Sequence, residues 1–325
     1  MNETYASPYA VIDGHVDLVY RMMRNWPGLT FSEVADEHVT AQRLREGNVR
    51  VLVSAFYCED AWNGPGRAEA RLQELLGYRE RFLDVIPLIR SATALEETYR
   101  GQKDPGCLFL LENADALADG DPAEWKAKGF VAVGLTHAGR NRLGDGNGVR
   151  SPGGLTPKGR EVVKALDREG FILDVAHLSE PCFREAAGRF EGPLISSHTG
   201  FRRHCDSPRN LSDEQVDMLL TRGGVIGVTV NPEMLSLEGT AGIHDVFEQA
   251  DRVVQKYGFL GVAIGSDFGG FDGTCRGLAH IGCLQRLGNL FAAGGYPEEA
   301  IAAILGGNWY RLYRSRLPAG VPPRC

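Results

Sequence analysis

Phe171-Ile172-Leu173-Asp174-Val175-Ala176-His177 is a short, almost unbroken apolar run that stops on a histidine. The segment before it, Thr156 to Glu169, has the apolar spacing of an amphipathic helix. A run of this kind fits a strand buried on both faces, with the helix as one of its covers. The same unit recurs. Apolar runs stand at Ala10–Gly14, Val49–Phe56, Cys107–Leu111, Gly129–Leu135, Pro193–Ser197, Val225–Val230 and Val262–Gly265. Helical patterns at Arg67–Arg81, Ser212–Thr221, His244–Tyr257 and Leu278–Ala293 fall between or after them. Eight such strands in 325 residues predict an α/β chain closed as a (β/α)8 TIM-type barrel rather than an open doubly wound sheet. No linker, low-complexity tract or change of composition interrupts the alternation. The expectation is therefore one domain over 1–325, with its core at about 10–316 and a short tail at 317–325.

Composition narrows the functional classes. Hydrophobic residues make up 43% and charged residues 24%, the balance of an ordinary soluble domain. A net charge of −7 argues against nucleic acid or an anionic membrane as a partner. No apolar run approaches the ~20 residues of a membrane span. Met1-Asn2-Glu3-Thr4-Tyr5 lacks the basic and apolar regions of a signal peptide. The cysteines (Cys58, Cys107, Cys182, Cys205, Cys275, Cys283 and Cys325) are odd in number, scattered and without a CxxC pair. They read as reduced thiols, and the chain as cytoplasmic.

The polar residues that end the apolar runs carry the chemistry. Ala10-Val11-Ile12-Asp13-Gly14-His15-Val16-Asp17-Leu18 sets His15 and Asp17 two positions apart, on one face of an extended strand. Gly14 between them admits the close approach of another group. Glu112, His137, His177, His198 and Asp267 end five further runs. Each has a bland alternative: a buried histidine satisfied by hydrogen bonds, a helix cap or a turn. In a (β/α)8 barrel, however, strand C-termini converge on the active-site face, which makes the joint pattern hard to assign to packing. His15, Asp17, His177 and His198 supply nitrogen and oxygen donors, and Glu112 can place one oxygen on each of two divalent ions. Zinc suits these ligands best, and manganese and cobalt also accept them. His38, His204, His244 and His280 read as surface or supporting groups, and Arg311 to Arg316 as a solvated helix face.

Several stretches together resemble the membrane dipeptidase (renal dipeptidase) family, zinc peptidases of the amidohydrolase type. They are Ile12-Asp13-Gly14-His15-Val16-Asp17, Gly134-Leu135-Thr136-His137, Gly154-Leu155-Thr156-Pro157-Lys158-Gly159-Arg160 and Asp174-Val175-Ala176-His177-Leu178-Ser179. Ser197-His198, Pro208-Arg209-Asn210-Leu211-Ser212-Asp213 and Gly265-Ser266-Asp267-Phe268 complete the series. The resemblance implies two zinc ions, one on His15, Asp17 and bridging Glu112, the other on Glu112, His177 and His198. It also implies attack on the scissile carbonyl by a metal-bridging hydroxide, with His137 stabilising the oxyanion. Arg209 would hold the substrate carboxylate and Asp267 would shuttle the proton. The implied substrate is a dipeptide, including one with a C-terminal D-residue, and the implied assembly is a homodimer.

Three positions depart from the family pattern. Asn113-Ala114-Asp115 follows Glu112 where mammalian members have glycines, and Gly269-Gly270 replaces an Asp-Gly. Asn231-Pro232-Glu233-Met234 offers no counterpart of a substrate-contacting tyrosine. Alternatives are a related amidohydrolase acting on N-acyl amino acids or other small amides, and a catalytically silent barrel that binds a partner. A mononuclear deaminase is disfavoured by His-x-Asp in place of His-x-His on the first strand.

Overall fold

The computed structural model describes residues 9–320. Its strands are β1 (Val11–Val16), β2 (Val49–Tyr57), β3 (Gly106–Glu112), β4 (Phe130–Gly134), β5 (Ile172–Asp174), β6 (Leu194–Thr199), β7 (Val225–Val228) and β8 (Val262–Ile264). They pair in sequence order, each parallel to the next, which is the (β/α)8 TIM-type arrangement. Every strand lies where an apolar run predicts one, and the ends agree to within three residues.

Side-chain alternation sorts two cores. On β2 and β3, Val51, Val53, Ala55, Leu108 and Leu110 point into the barrel, whereas Leu52, Phe56, Phe109 and Leu111 meet the surrounding helices. Glu112 continues the inward series of β3, so it surfaces inside the barrel mouth. β1 and β6 break this rule at their C-terminal ends. Pairing slips between Asp13 and Val16 on β1 and between Ser196 and Thr199 on β6. Each irregularity re-aims a side chain that strict alternation would send outward. His15 reaches the mouth this way. The regular alternation expected for His15 and Asp17 is corrected accordingly: with Asp17 just past β1, the pair converges through a bulge.

The barrel closes between β1 and β8. The Asp267 amide donates to the His15 carbonyl (3.0 Å) and the Asp17 amide to the Phe268 carbonyl (2.9 Å). Deeper in the seam, the buried Asp13 carboxylate accepts the amides of Ser266 (2.8 Å) and His15 (3.3 Å).

Helix Asn308–Arg314 forms the floor. Its Trp309 is fully buried, donates from Nε1 to the Ile264 carbonyl (2.8 Å), and packs among the inward residues of the strands. A Cβ at Gly14 would lie 2.5 Å from the indole, so Gly14 makes the close approach possible. The arginines of this helix are exposed as expected, while Tyr313 on its other face is buried.

The helix expected over Leu278–Ala293 is shorter and spans Gln285–Ala293, preceded by a single turn at Ile281–Cys283. Tertiary hydrogen bonds explain the difference. The Ile281 amide donates to the His38 carbonyl (3.0 Å), and Gly282 lies against the Arg43 carbonyl and Gly47, which draws the backbone out of the helical ladder. His38 itself is buried and bonds the Gly273 carbonyl (2.8 Å). Cys325 and most of the tail lie outside the described residues. Among the described residues no helix is long and apolar enough to cross a membrane.

Removing the floor tests this architecture. Trp309→Ala should lower unfolding stability by about 3–5 kcal/mol, seen as a reduced urea midpoint. An unchanged midpoint would show that the barrel does not depend on its indole plug.

Candidate active site

The mouth of the barrel gathers the strand-end residues around a cavity of about 350 Å³. Asp17, Glu112, His137, His177, His198, Arg209 and Asp267 line it, with Tyr20, Arg24, Tyr57, Asn231, Glu233 and Gly270. His15 lies beneath, fully buried. All eight residues singled out in the sequence therefore meet at one place.

Glu112 sits at the centre. Its Oε2 is 3.6 Å from His15 Nε2, which is itself 3.4 Å from Asp17 Oδ2. Its Oε1 is 2.9 Å from His177 Nε2 and 4.0 Å from His198 Nε2, and these two nitrogens are 3.2 Å apart. Donor separations near 3.3 Å are the edge lengths of a tetrahedron with arms of about 2.0–2.1 Å, the usual Zn–N distance. Among the described residues three donor triads are close enough to hold a cation: Glu112, His177 and His198; His15, Asp17 and Asp267; and, deeper, His15, Asp174 and His198.

Protonation favours the same use. Burial, reinforced by the positive charges of Arg209 and His137, holds His177 well below the usual imidazole range. Burial and the charges of His15 and Arg209 do the same to His198. Both rings are thus neutral with lone pairs available. Burial opposes ionisation of Glu112, but the His15 charge overcomes it and keeps the carboxyl well below its ordinary value. Burial likewise opposes charge on His15, yet Glu112 and Asp17 raise it well above the ordinary value, a sign that this corner prefers a cation. His15 Nε2 and Asp17 Oδ1 are buried without a hydrogen-bond partner. Orphaned donors of this kind, in a set of imidazoles and carboxylates, fit divalent metal.

The remaining groups surround this centre. His137 Nδ1 is 3.3 Å from Asp60 Oδ2 and 3.4 Å from Tyr57 Oη. Burial disfavours its charge, but Asp60 and Glu112 prevail and raise its pKa. Arg209 Nη2 donates to the His198 carbonyl (3.0 Å) and lies 3.2 Å from His177 Nε2. Asp267 Oδ1 is 3.9 Å from His198 Nε2, while Oδ2 accepts Asn231 Nδ2 (2.9 Å). Burial, with the nearby Asp17 charge, pushes Asp267 up to about 7.

Three residues at the site have left-handed backbones: Asn113 (φ 62°), His177 (φ 65°) and Asp267 (φ 68°). Asn113 occupies the position given to glycine in mammalian relatives, and asparagine is among the residues that best tolerate this region. Its amide bonds the Cys58 carbonyl (2.6 Å) and Asn63 (2.8 Å), locking the turn behind Glu112. Gly270, which keeps the glycine of the family's Asp-Gly pair, has no room for a side chain: a Cβ would lie 2.4 Å from Asp267 Oδ1 and 2.5 Å from Asp17 Oδ2.

Tyr57, Asp60, Asn231 and Glu233 are not among the sequence candidates. Asn231 follows β7 as His177 follows β5, so its place after a strand was the available signal. Tyr57 extends β2 one residue beyond the apolar run. Asp60 and Glu233 sit in short helical turns, Asp60–Trp62 and Pro232–Leu235, and carry no such mark.

A parallel barrel whose mouth holds buried imidazoles and carboxylates in cation-binding triads is the frame of a metal-dependent hydrolase. The comparisons with known proteins assign the family: residues 4–317 match the membrane dipeptidase family (peptidase family M19), and the chain belongs to it. It is a metallo-dipeptidase, an enzyme that hydrolyses a peptide bond. The dipeptidase verJ of Clonostachys rogersoniana is 27% identical over 94% of this chain and 84% of its own length. A protein encoded in the pqqA 5′ region of Klebsiella pneumoniae is 29% identical over 71% of this chain and 89% of its own. Among solved structures, the metallopeptidase dipeptidase AC of family M19 superposes with a TM-score of 0.86 at 24% identity, covering 96% of this chain and 99% of its own. A Rhodobacter sphaeroides metallopeptidase, liganded with a phosphinate mimic of the dipeptide L-Ala-D-Ala, gives 0.85 at 24% identity over 95% of this chain and 99% of its own.

Gly270→Ala should weaken metal binding at least about tenfold, since it displaces two carboxylates, while the apoprotein melts within a few degrees of wild type. Metal titration followed by calorimetry checks it; unchanged affinity would remove Asp17 and Asp267 from the metal's surroundings.

Proposed function

We propose that the enzyme is a binuclear zinc dipeptidase that cleaves dipeptides with a free C-terminal carboxylate and accepts a D-residue there. The observation that carries this reading is the division of Glu112, with Oε2 towards His15 and Asp17 and Oε1 towards His177 and His198. His15, Asp17 and Glu112 would hold one ion, and Glu112, His177 and His198 the other. When bound, such a pair lowers the pKa of a water molecule and polarises the scissile carbonyl.

The protein's own groups do the rest. His137, oriented through Nδ1 by Asp60, keeps Nε2–H for the carbonyl oxygen as negative charge develops there. Asp267 takes a proton from the attacking water and returns it to the leaving amine. Asn231 holds Oδ2 of Asp267, leaving Oδ1 towards the reaction centre. Arg209 spends Nη2 on the His198 carbonyl and keeps Nε and Nη1 for the substrate carboxylate. A cavity of about 350 Å³ suits a small ligand such as a dipeptide. The phosphinate dipeptide mimic carried by the Rhodobacter relative supports a D-residue at the second position.

Glu233 favours the dipeptide over an N-acyl amino acid. Its exposed carboxylate lines the cavity and bonds no other described side chain, so it is available to the free ammonium that an N-acyl substrate lacks. The six described cysteines are buried and unpaired, which supports a reducing, cytoplasmic setting.

Chelation should abolish turnover, and zinc should restore it with two ions per chain by elemental analysis; full activity with one ion would overturn the binuclear reading. Asp267→Asn should keep its metal and lose about 10²–10⁴-fold in kcat against a library of L,L- and L,D-dipeptides. Full occupancy with normal turnover would end the proton role of Asp267. Glu233→Gln should reduce the preference for free over N-acetylated dipeptides about tenfold in kcat/KM. An unaltered ratio would leave ammonium recognition to another group.

A further inference from the structure

Ser197 lies one residue before His198 on β6 and is fully buried. Its Oγ is 3.0 Å from His15 Nδ1 and 2.8 Å from His198 Nδ1. These rings belong to different donor sets, and their centroids are only 3.7 Å apart. We propose that Ser197 is a positioning residue shared by both metal sites: one hydroxyl accepts Nδ1–H from His15 and from His198, and Asp174 beneath it takes the hydroxyl proton. The proposal rests on the binuclear reading above.

Proton bookkeeping leaves little choice. A neutral imidazole that ligates through Nε2 carries its proton on Nδ1. Two such N–H groups fill the two lone pairs of a hydroxyl, whose single O–H must then find an acceptor. Asp174 is that acceptor. It is buried at the end of β5, and its Oδ1 already accepts the Ser197 amide (2.9 Å). One ligand atom from each of His15, Asp174 and His198 falls within 4.8 Å of the others, and the Ser197 hydroxyl links all three.

The strands are shaped to put it there. The slip in β6 pairing covers Ser197 and carries its backbone across the barrel. A Cβ at Gly227 would fall 2.0 Å from the Ser197 carbonyl oxygen, and one at Gly265 1.7 Å from it. Gly227 on β7 and Gly265 just past β8 therefore clear the path that lets β6 reach towards β1. The consequence is chemical: the charge of Asp174 reaches an imidazole at each metal site through one atom. Tautomer and ring orientation at the two sites are set together.

Titration of the apoenzyme with zinc alone, followed by calorimetry, tests this. Wild type should take up two ions. Ser197→Ala should lose about 10–100-fold in affinity at both steps, the range for loss of a group behind a metal-binding histidine. Asp174→Asn should weaken both steps in the same sense, and Ser197→Thr, which keeps the hydroxyl, should restore them. Cobalt-loaded Ser197→Ala should show altered visible bands for both ions, a change that loss of packing in a correctly melting apoprotein would not produce. Loss at only one step, or wild-type affinity at both in Ser197→Ala and Asp174→Asn, would overturn the shared role. A single ion on wild type would instead defeat the binuclear reading, and the shared role with it.

Discussion

Closure of the barrel between β1 and β8 is the constraint on which the structure depends. The backbone bonds that join these strands at the mouth are made by His15, Asp17, Asp267 and Phe268. Folding the seam and assembling one side of the active site are thus the same event. Asp13 carries the seam further down, where its carboxylate substitutes for ladder hydrogen bonds by accepting the amides of Ser266 and His15. Burial pushes Asp13 up to about 6, against the pull of those hydrogen bonds. A buried carboxyl in such a place is tolerable because the backbone amides have nowhere else to donate.

Around this seam the protein gathers several buried ionisable groups into one small space. Neighbouring charges divide their roles: His177 and His198 are kept neutral, Glu112 ionised, and His137 biased towards its cation. Each state suits the proposed use of the group, since neutral imidazoles can ligate, carboxylates can bridge and a cationic imidazole can donate. The buried His15 Nε2 and Asp17 Oδ1 find no hydrogen-bond partner among the described residues, and a divalent cation would suit both.

Much of this was legible in the chain. Strands buried on both faces announce themselves as unbroken apolar runs, and a polar residue that ends such a run in a parallel barrel has one destination. That is why His177, Glu112 and Asp267 could be placed from sequence. The bulges could not be read, because they arise from register against neighbouring strands and from the room left by Gly227 and Gly265. His15 was placed correctly for an incomplete reason: regular alternation would not have delivered it. The helix begun too early at Leu278 shows the same limit, since local spacing does not record that Ile281 donates to a carbonyl far away in the chain. Ser197 and Asp60 were invisible for a related cause. Nothing in a serine's neighbours along the chain tells that two histidines from different strands will share its oxygen.

The left-handed backbone of His177 has an evolutionary consequence. A β-substituted residue in that conformation carries a penalty of about 1–2 kcal/mol that glycine does not. In a duplicated copy freed from selection for turnover, glycine at 177 relieves that strain and discards the proposed metal donor in a single step. Decay of catalysis in this lineage is then rewarded by a sturdier barrel, and the return to histidine runs uphill. Inactive descendants of such a fold should be hard to reverse.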